Sequence, residues 1–231
     1  ISHNTFLKLM GRHRKYLDRC ILNSIDEQGS IDWLDNPFSP LSIDGDISFY
    51  GVRFLKDVGV PGSKYIEIRK EYVELAGYPS CRSIFDAVGR TESGSLICVD
   101  VVSDSEELKS KKLDSFIEQQ ISLFHCVADL IKTDVKSSWA DYYGDYINKL
   151  HTTLFLNRHL IPTKFITVCI IPAEAMFEAC ATFLRNKIEY RNSCLGISEN
   201  SMIAKYTASC FVSIKGEEVS NLHGSTNSED D

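Results

Sequence analysis

Ser95-Leu96-Ile97-Cys98-Val99-Asp100-Val101-Val102 and Lys164-Phe165-Ile166-Thr167-Val168-Cys169-Ile170-Ile171 are two nearly unbroken apolar runs of strand length, rich in β-branched residues. Runs of this kind mark strands covered on both faces. The segment after the first run, from about Glu106 to Lys132, places Leu113, Phe116, Ile117, Ile121, Phe124, Val127, Ala128 and Ile131 at spacings of three and four, the pattern of an amphipathic helix lying on a sheet. A second helical stretch, Trp139 to about Leu156, is aromatic-rich and less regular. Pro172 opens a helix to about Tyr190, and a last strand covers Ala204 to Ile214. Strand, helix pair, strand, helix, strand is the order that builds a central sheet covered by helices.

The first half of the chain reads as more antiparallel. A helix is expected from Asn4 to about Gln28, stopped by Gly29, with Phe6, Met10, Leu17, Ile21 and Ile25 along one stripe. Ser30 to Asp46, with Pro37, Pro40 and Gly45, reads as an irregular connection. Ile47 to Leu55 and Tyr65 to Leu75 read as strands flanking the Gly59-Val60-Pro61-Gly62 turn, and a short helix is expected from about Ser80 to Val88. The expected fold is therefore α+β, a mixed central sheet covered by helices, with a long amphipathic helix in the middle of the chain. It forms a single globular domain over 1–219, with the helix over 4–28 readable as a partner-facing appendage. The polar tail over 220–231, ending Ser228-Glu229-Asp230-Asp231, is expected to be disordered.

Composition narrows the function classes. The 231 residues are 43% hydrophobic and 25% charged, ordinary globular usage. With 25 Lys plus Arg against 32 Asp plus Glu, the net charge is −7, a poor basis for generic attraction to nucleic acid or anionic membrane. No apolar run approaches the ~20 residues of a spanning helix, so no membrane contact is expected. The chain starts at Ile1 rather than Met, which leads us to expect a longer parent protein. Cys98, Cys169 and Cys210, three of the eight cysteines, sit inside apolar strand-like runs, where a thiol packs as a small hydrophobe. The cysteines are expected to be reduced, and the location cytoplasm or nucleus. No Cys/His set has zinc spacing, no Gly-rich phosphate loop occurs, and no G-x-S-x-G elbow occurs, so neither a metal nor another cofactor is expected from those motifs.

Four constellations carry the remaining chemistry. His125 and Asp129 stand four apart on the long helix, a spacing that brings a base and its orienter, or a plain surface pair, to one face. Glu74 to Ser80, followed by Ile84, Phe85 and Val88, reads as a winged-helix-like segment near 66–102, with Ser80 capping a recognition helix that carries Arg82 and Arg90, and Asp86 opposing phosphate. Arg12, Arg14, Lys15 and Arg19, with Tyr16 interleaved, form a second basic cluster. Ser225 and Ser228 before acidic residues resemble acidophilic kinase sites of the casein-kinase type.

The sharpest enzymatic reading joins Asp100, near the end of one strand, to Glu174, just past the end of another, since two carboxylates at neighbouring strand ends hold Mg²⁺ and activate water. The stretch Phe165-Ile-Thr-Val-Cys-Ile-Ile-Pro-Ala-Glu-Ala-Met-Phe177 resembles the apolar-strand, Pro-x-Glu-Ala segment of the bacterial RmuC family, which is similar to restriction-type nucleases. The resemblance covers at most a third of the chain. In the restriction-type pattern an acidic residue is followed two positions later by Lys. Here Val101 and Val102 follow Asp100, so the charge that would orient water is missing and a degenerate, non-catalytic relative is the alternative. The leading expectation is a non-catalytic protein-interaction domain of a larger complex, with other protein subunits as partners. Trp33, Phe38, Trp139, Tyr142, Tyr143 and Tyr146 are the residues that suggest an interface, and nucleic acid is the alternative partner.

Overall fold

A computed structural model describes residues 2–34, 47–48, 60, 62–76, 84–109, 117–171 and 176–214. In chain order the elements are α1 (Ser2–Arg12), α2 (Arg14–Asn23), β1 (Ile31–Trp33), β2 (Ile47–Ser48), α3 (Gly62–Ala76), β3 (Ile84–Phe85), β4 (Ala87–Thr91) and β5 (Leu96–Val102). They continue with α4 (Ile117–Ile131), α5 (Ser137–Tyr142), α6 (Gly144–Arg158), β6 (Thr163–Ile171), α7 (Phe177–Leu195), a 3₁₀ turn (Met202–Lys205) and β7 (Thr207–Ser213). Five strands form one mixed sheet in the order β1-β4-β5-β6-β7, and β2 pairs with β3 in a separate two-stranded ribbon. The α+β expectation holds.

The sheet changes character across its width. β1, β4 and β5 run antiparallel, while β5, β6 and β7 run parallel. The step from β5 to β6 passes through α4, α5 and α6, and the step from β6 to β7 through α7. Helices are the usual way to join parallel neighbours. Alternation along the strands divides the side chains between two faces. One face carries Ile97, Val99, Val101, Ile166, Val168, Ile170, Cys210 and Val212 and packs against Phe6, Leu9, Met10, Leu17, Ile21 and Leu22 of α1 and α2. The other carries Leu96, Cys98 and Phe165 against α4 and α6, and farther along Val102, Cys169 and Ile171 against α7.

The expected N-terminal helix is two helices, broken at His13 (φ −128°, ψ 32°), and both bury their apolar stripe on the sheet. Arg14 donates to the Ile31 carbonyl at 2.8 Å, and buried Asp18 accepts from Trp33 Nε1 at 2.9 Å, so α2 is tied to β1. Burial raises the Asp18 carboxyl above its usual range, with the Trp33 bond and Arg14 opposing.

Three expectations are corrected. Tyr65 to Leu75 lies within the helix α3: Tyr65 and Ile68, three apart, are buried, whereas Ile66, which a strand would pair with Ile68 on one face, is 76% exposed. Within residues 84–88, expected to be helical, Ile84–Phe85 and Ala87–Val88 are strand with a bend at Asp86, and Ala87 and Val88 pair with Val99 and Cys98. The recognition helix of the winged-helix reading is therefore absent there, and Ser80 and Arg82 lie outside the described residues. The long helix is seen over Ile117–Ile131, and residues 103–109 before it are turns and bends rather than a helical start at Glu106. Of the strand expected over Ile47–Leu55, only Ile47–Ser48 is described, and it is a strand.

Among the described residues seven cysteines are free thiols, with Cys98, Cys169 and Cys210 buried. Burial pushes the Cys98 and Cys169 thiols up to about 12, so both stay protonated and inert. No described helix is long and apolar enough to cross a membrane.

Candidate active site

A polar row crosses the otherwise apolar inner face of the sheet. Asp100 of β5 stands in register with Thr167 of β6, and Thr167 with Ser209 of β7. Alternation puts all three side chains on the face covered by α6 and α7. Next to the Ala87–Val99 pair, Asp86 adds to this row at the antiparallel edge: its backbone N–H donates to the Val99 carbonyl at 2.9 Å and its Oδ2 accepts from the Val101 N–H at 2.6 Å.

α6 supplies the cation. Every residue from Gly144 to Leu156 except Asp145 is buried, because this helix is enclosed between the sheet and α4. Lys149 is therefore carried into the interior with its side chain only 7% exposed. Its Nζ donates to Asp100 Oδ1 at 2.6 Å and to Asp145 Oδ2, one helical turn earlier, at 2.8 Å. Burial works against the ammonium charge, but the two carboxylates outweigh it and hold the Lys149 pKa above its usual value. Asp100 is 20% exposed and Asp145 46% exposed, so the cluster opens to solvent on the Asp145 side. Burial and the charge of Asp100 raise the Asp145 carboxyl against the pull of Lys149.

Two carboxylates and one ammonium leave a net charge of −1. Among the described residues no group of three or more His, Cys, Asp or Glu converges to hold a metal ion. Glu174, the expected second carboxylate, lies outside the described residues.

The other predicted residues sit elsewhere. Arg12 ends α1 and Arg14 begins α2, where Arg14 is engaged by Ile31 and, at 3.7 Å, by Asp18. Arg90 of β4 is opposite Asp32 of β1 and donates to the Gly94 carbonyl at 3.1 Å. Arg14 and Arg90 thus belong to the β1 edge of the sheet, not to the Asp100 row. His125 and Asp129 are exposed on α4. Of the aromatic residues suggesting an interface, Trp33, Trp139, Tyr143 and Tyr146 are buried and Tyr142 is 52% exposed, while Phe38 is outside the described residues.

Sequence reasoning missed Lys149 and Asp145. A signal was available in the spacing of Asp145 and Lys149, four apart on an expected helix, where opposite charges meet on one face. Compared with known proteins, the chain matches no family model, no curated protein and no solved structure.

Proposed function

We propose that this domain is a Mg²⁺-dependent phosphodiester hydrolase acting on nucleic acid, with Asp100, Asp145 and Lys149 as its catalytic cluster. One observation carries the reading: Lys149 Nζ lies 2.6 Å from Asp100 Oδ1, so the cation that the restriction-type pattern would place at position 102 arrives instead from α6. Asp100 and Asp145 would hold the metal ion, which supplies a water of lowered pKa and charge stabilisation at the phosphate. Lys149 fixes the orientation of Asp100 and offers an ammonium where negative charge develops on the phosphoryl oxygens. The open Asp145 side is the route by which a strand reaches the cluster.

The test is cleavage of single-stranded DNA, duplex DNA and RNA with Mg²⁺ or Mn²⁺ and with a chelator. Cleavage that needs the metal and falls at least about a hundredfold in Asp100→Asn and in Lys149→Gln supports the reading. Purified, folded protein that cleaves none of these substrates sinks it.

A protein-interaction role retains one observation in its favour: Phe183 and Tyr190, seven apart on α7, are both exposed large side chains. A changed oligomeric state or lost partner in a Phe183→Ser/Tyr190→Ser variant with intact nuclease activity would favour it, and an unchanged assembly would count against it.

A further inference from the structure

Beside the Asp100 row lies a cleft of about 670 Å³, lined among others by Tyr146, Arg191, Asn192, Thr207 and Ser209. Its volume is within the range of a small-molecule site. Arg191 is only 3% exposed, and among the described residues no carboxylate pairs with it. Its guanidinium carbon sits 3.5 Å from the centroid of the Tyr146 ring, while its Nε is buried without a hydrogen-bond partner. Asn192, the next residue, has a buried Oδ1 that is likewise without a partner. Stacking on an aromatic face orients a guanidinium but leaves its N–H donors unspent. A buried N–H donor without an acceptor is costly until an acceptor meets it.

We propose that this cleft is an anion subsite that takes the phosphate of a nucleotide, with Arg191 as the phosphate-binding residue and Tyr146 as the platform that aims it. The planar fork of Arg matches phosphate oxygens two at a time. Thr207 and Ser209 bring hydroxyls to the β7 wall of the cleft, and Ser209 belongs to the same register row as Asp100. Tyr146 is three residues before Lys149 on α6, so one helical turn separates the platform from the catalytic cluster. Tyr146 and Cys169 both feel the charges of Arg191 and of Asp100, which places the two groups around the same interior. Glu189 and Glu199 stand at the rim and are exposed, where water screens their repulsion of an anion. The wall itself is fixed by a left-handed residue, Gly196 (φ +75°): the Ile197 N–H donates to the Asn192 carbonyl at 2.8 Å and the Gly196 N–H to the Ser193 carbonyl at 3.1 Å, which ends α7 at Leu195, about one turn after Arg191 and Asn192.

The choice of a nucleotide rests on the nuclease reading, but binding is measured apart from it. The full chain, in chelator to suppress any cleavage, is titrated with inorganic phosphate and with 5′-AMP by calorimetry and by ¹⁵N NMR of the Arg Nε–H signals. The expected result is saturable binding of AMP that shifts the Arg191 Nε–H signal, with affinity lowered about tenfold or more in Arg191→Met, the size of one charge-assisted contact. Met at 191 keeps packing against Tyr146, and if that variant does not fold, the wild-type Arg191 signal decides alone. No binding of either probe, or binding that leaves the Arg191 signal unmoved, overturns the subsite. AMP binding without any nuclease activity leaves the subsite standing and removes the catalytic reading, whereas cleavage without an Arg191 response does the reverse.

Discussion

Replacing Lys149 by Met tests whether the buried ammonium is what makes the Asp100 cluster tolerable inside the fold. Lys149 is 7% exposed and bonded to carboxylates that are 20% and 46% exposed. Removing one partner of a fully buried pair costs about 3–5 kcal/mol, whereas a pair open to water contributes only about 0.2–1 kcal/mol. The Asp100 contact belongs near the lower end of the first range and the Asp145 contact to the second, so Lys149→Met should cost about 3 kcal/mol. With a urea m-value of about 2–3 kcal/mol/M, this moves the unfolding midpoint down by roughly 1 M. Asp100→Asn removes the charge that Lys149 chiefly answers, and the double variant should be more stable than the sum of the single effects implies by about 2 kcal/mol. Urea unfolding followed by circular dichroism gives all four corners of the cycle. A coupling energy below about 0.5 kcal/mol would mean that the two residues act independently, and the electrostatic account of the site would have to be abandoned. In Lys149→Met the two carboxylates face one another uncompensated, so added Mg²⁺ should raise its midpoint more than that of the unaltered protein.

Two further outcomes follow from the surroundings of the site. Burial lowers the pKa of His151, on the same helix, from 6.5 to about 4; the unfolded chain therefore takes up a proton first, and stability contributed by neutral His151 is complete above pH 6.5 and declines as pH falls toward 4. The loss reaches up to about 3 kcal/mol, and urea midpoints at pH 7 and pH 4.5 should converge more in His151→Gln than in the unaltered protein; equal pH slopes would refute this. A Cβ added at Gly196 would stand 2.5 Å from Thr133 Oγ1 at a left-handed backbone, so Gly196→Ala should cost about 2–3 kcal/mol and weaken AMP binding with it; a midpoint within about 0.2 M of the unaltered one would show that the turn is not held as described.

The strands at 95–102 and 164–171 were legible because both faces of each are covered, which leaves a continuous apolar run that few other arrangements produce. The same logic hid α6. Enclosed on nearly every side, it buries Asn148, Lys149, His151, Thr152 and Thr153 along with its apolar residues, so polar and apolar positions do not separate into the two faces from which a helical period is read. Asp100 was identifiable as a charge inside an apolar strand, yet its partner lies 49 residues away across the β5-to-β6 crossover, and sequence pattern does not specify contacts at that range. The α3 helix was misread because Ile66 and Ile68 alternate with Glu67 and Arg69, a short period-two pattern that tertiary packing overrides. In the 84–88 segment, Ile84, Phe85 and Val88 fit a helical face equally well, and the ladder to β5 decides in favour of strand.

Asp100 also has a consequence for the chain before it is folded. With an apolar residue in its place, Leu96 to Val102 would be seven consecutive apolar residues, the composition that seeds intermolecular sheets. The β6 side of this strand stays open until the chain from 103 to 162 has been made and packed, and during that interval a lone carboxylate on an open edge discourages a second molecule from docking there. Only when α6 delivers Lys149 is the guard disarmed, by the contact that completes the site. Asp100→Val should therefore refold from urea with a larger aggregated fraction that grows with protein concentration, even if the native state gains stability; equal recovery at every concentration would dismiss the idea.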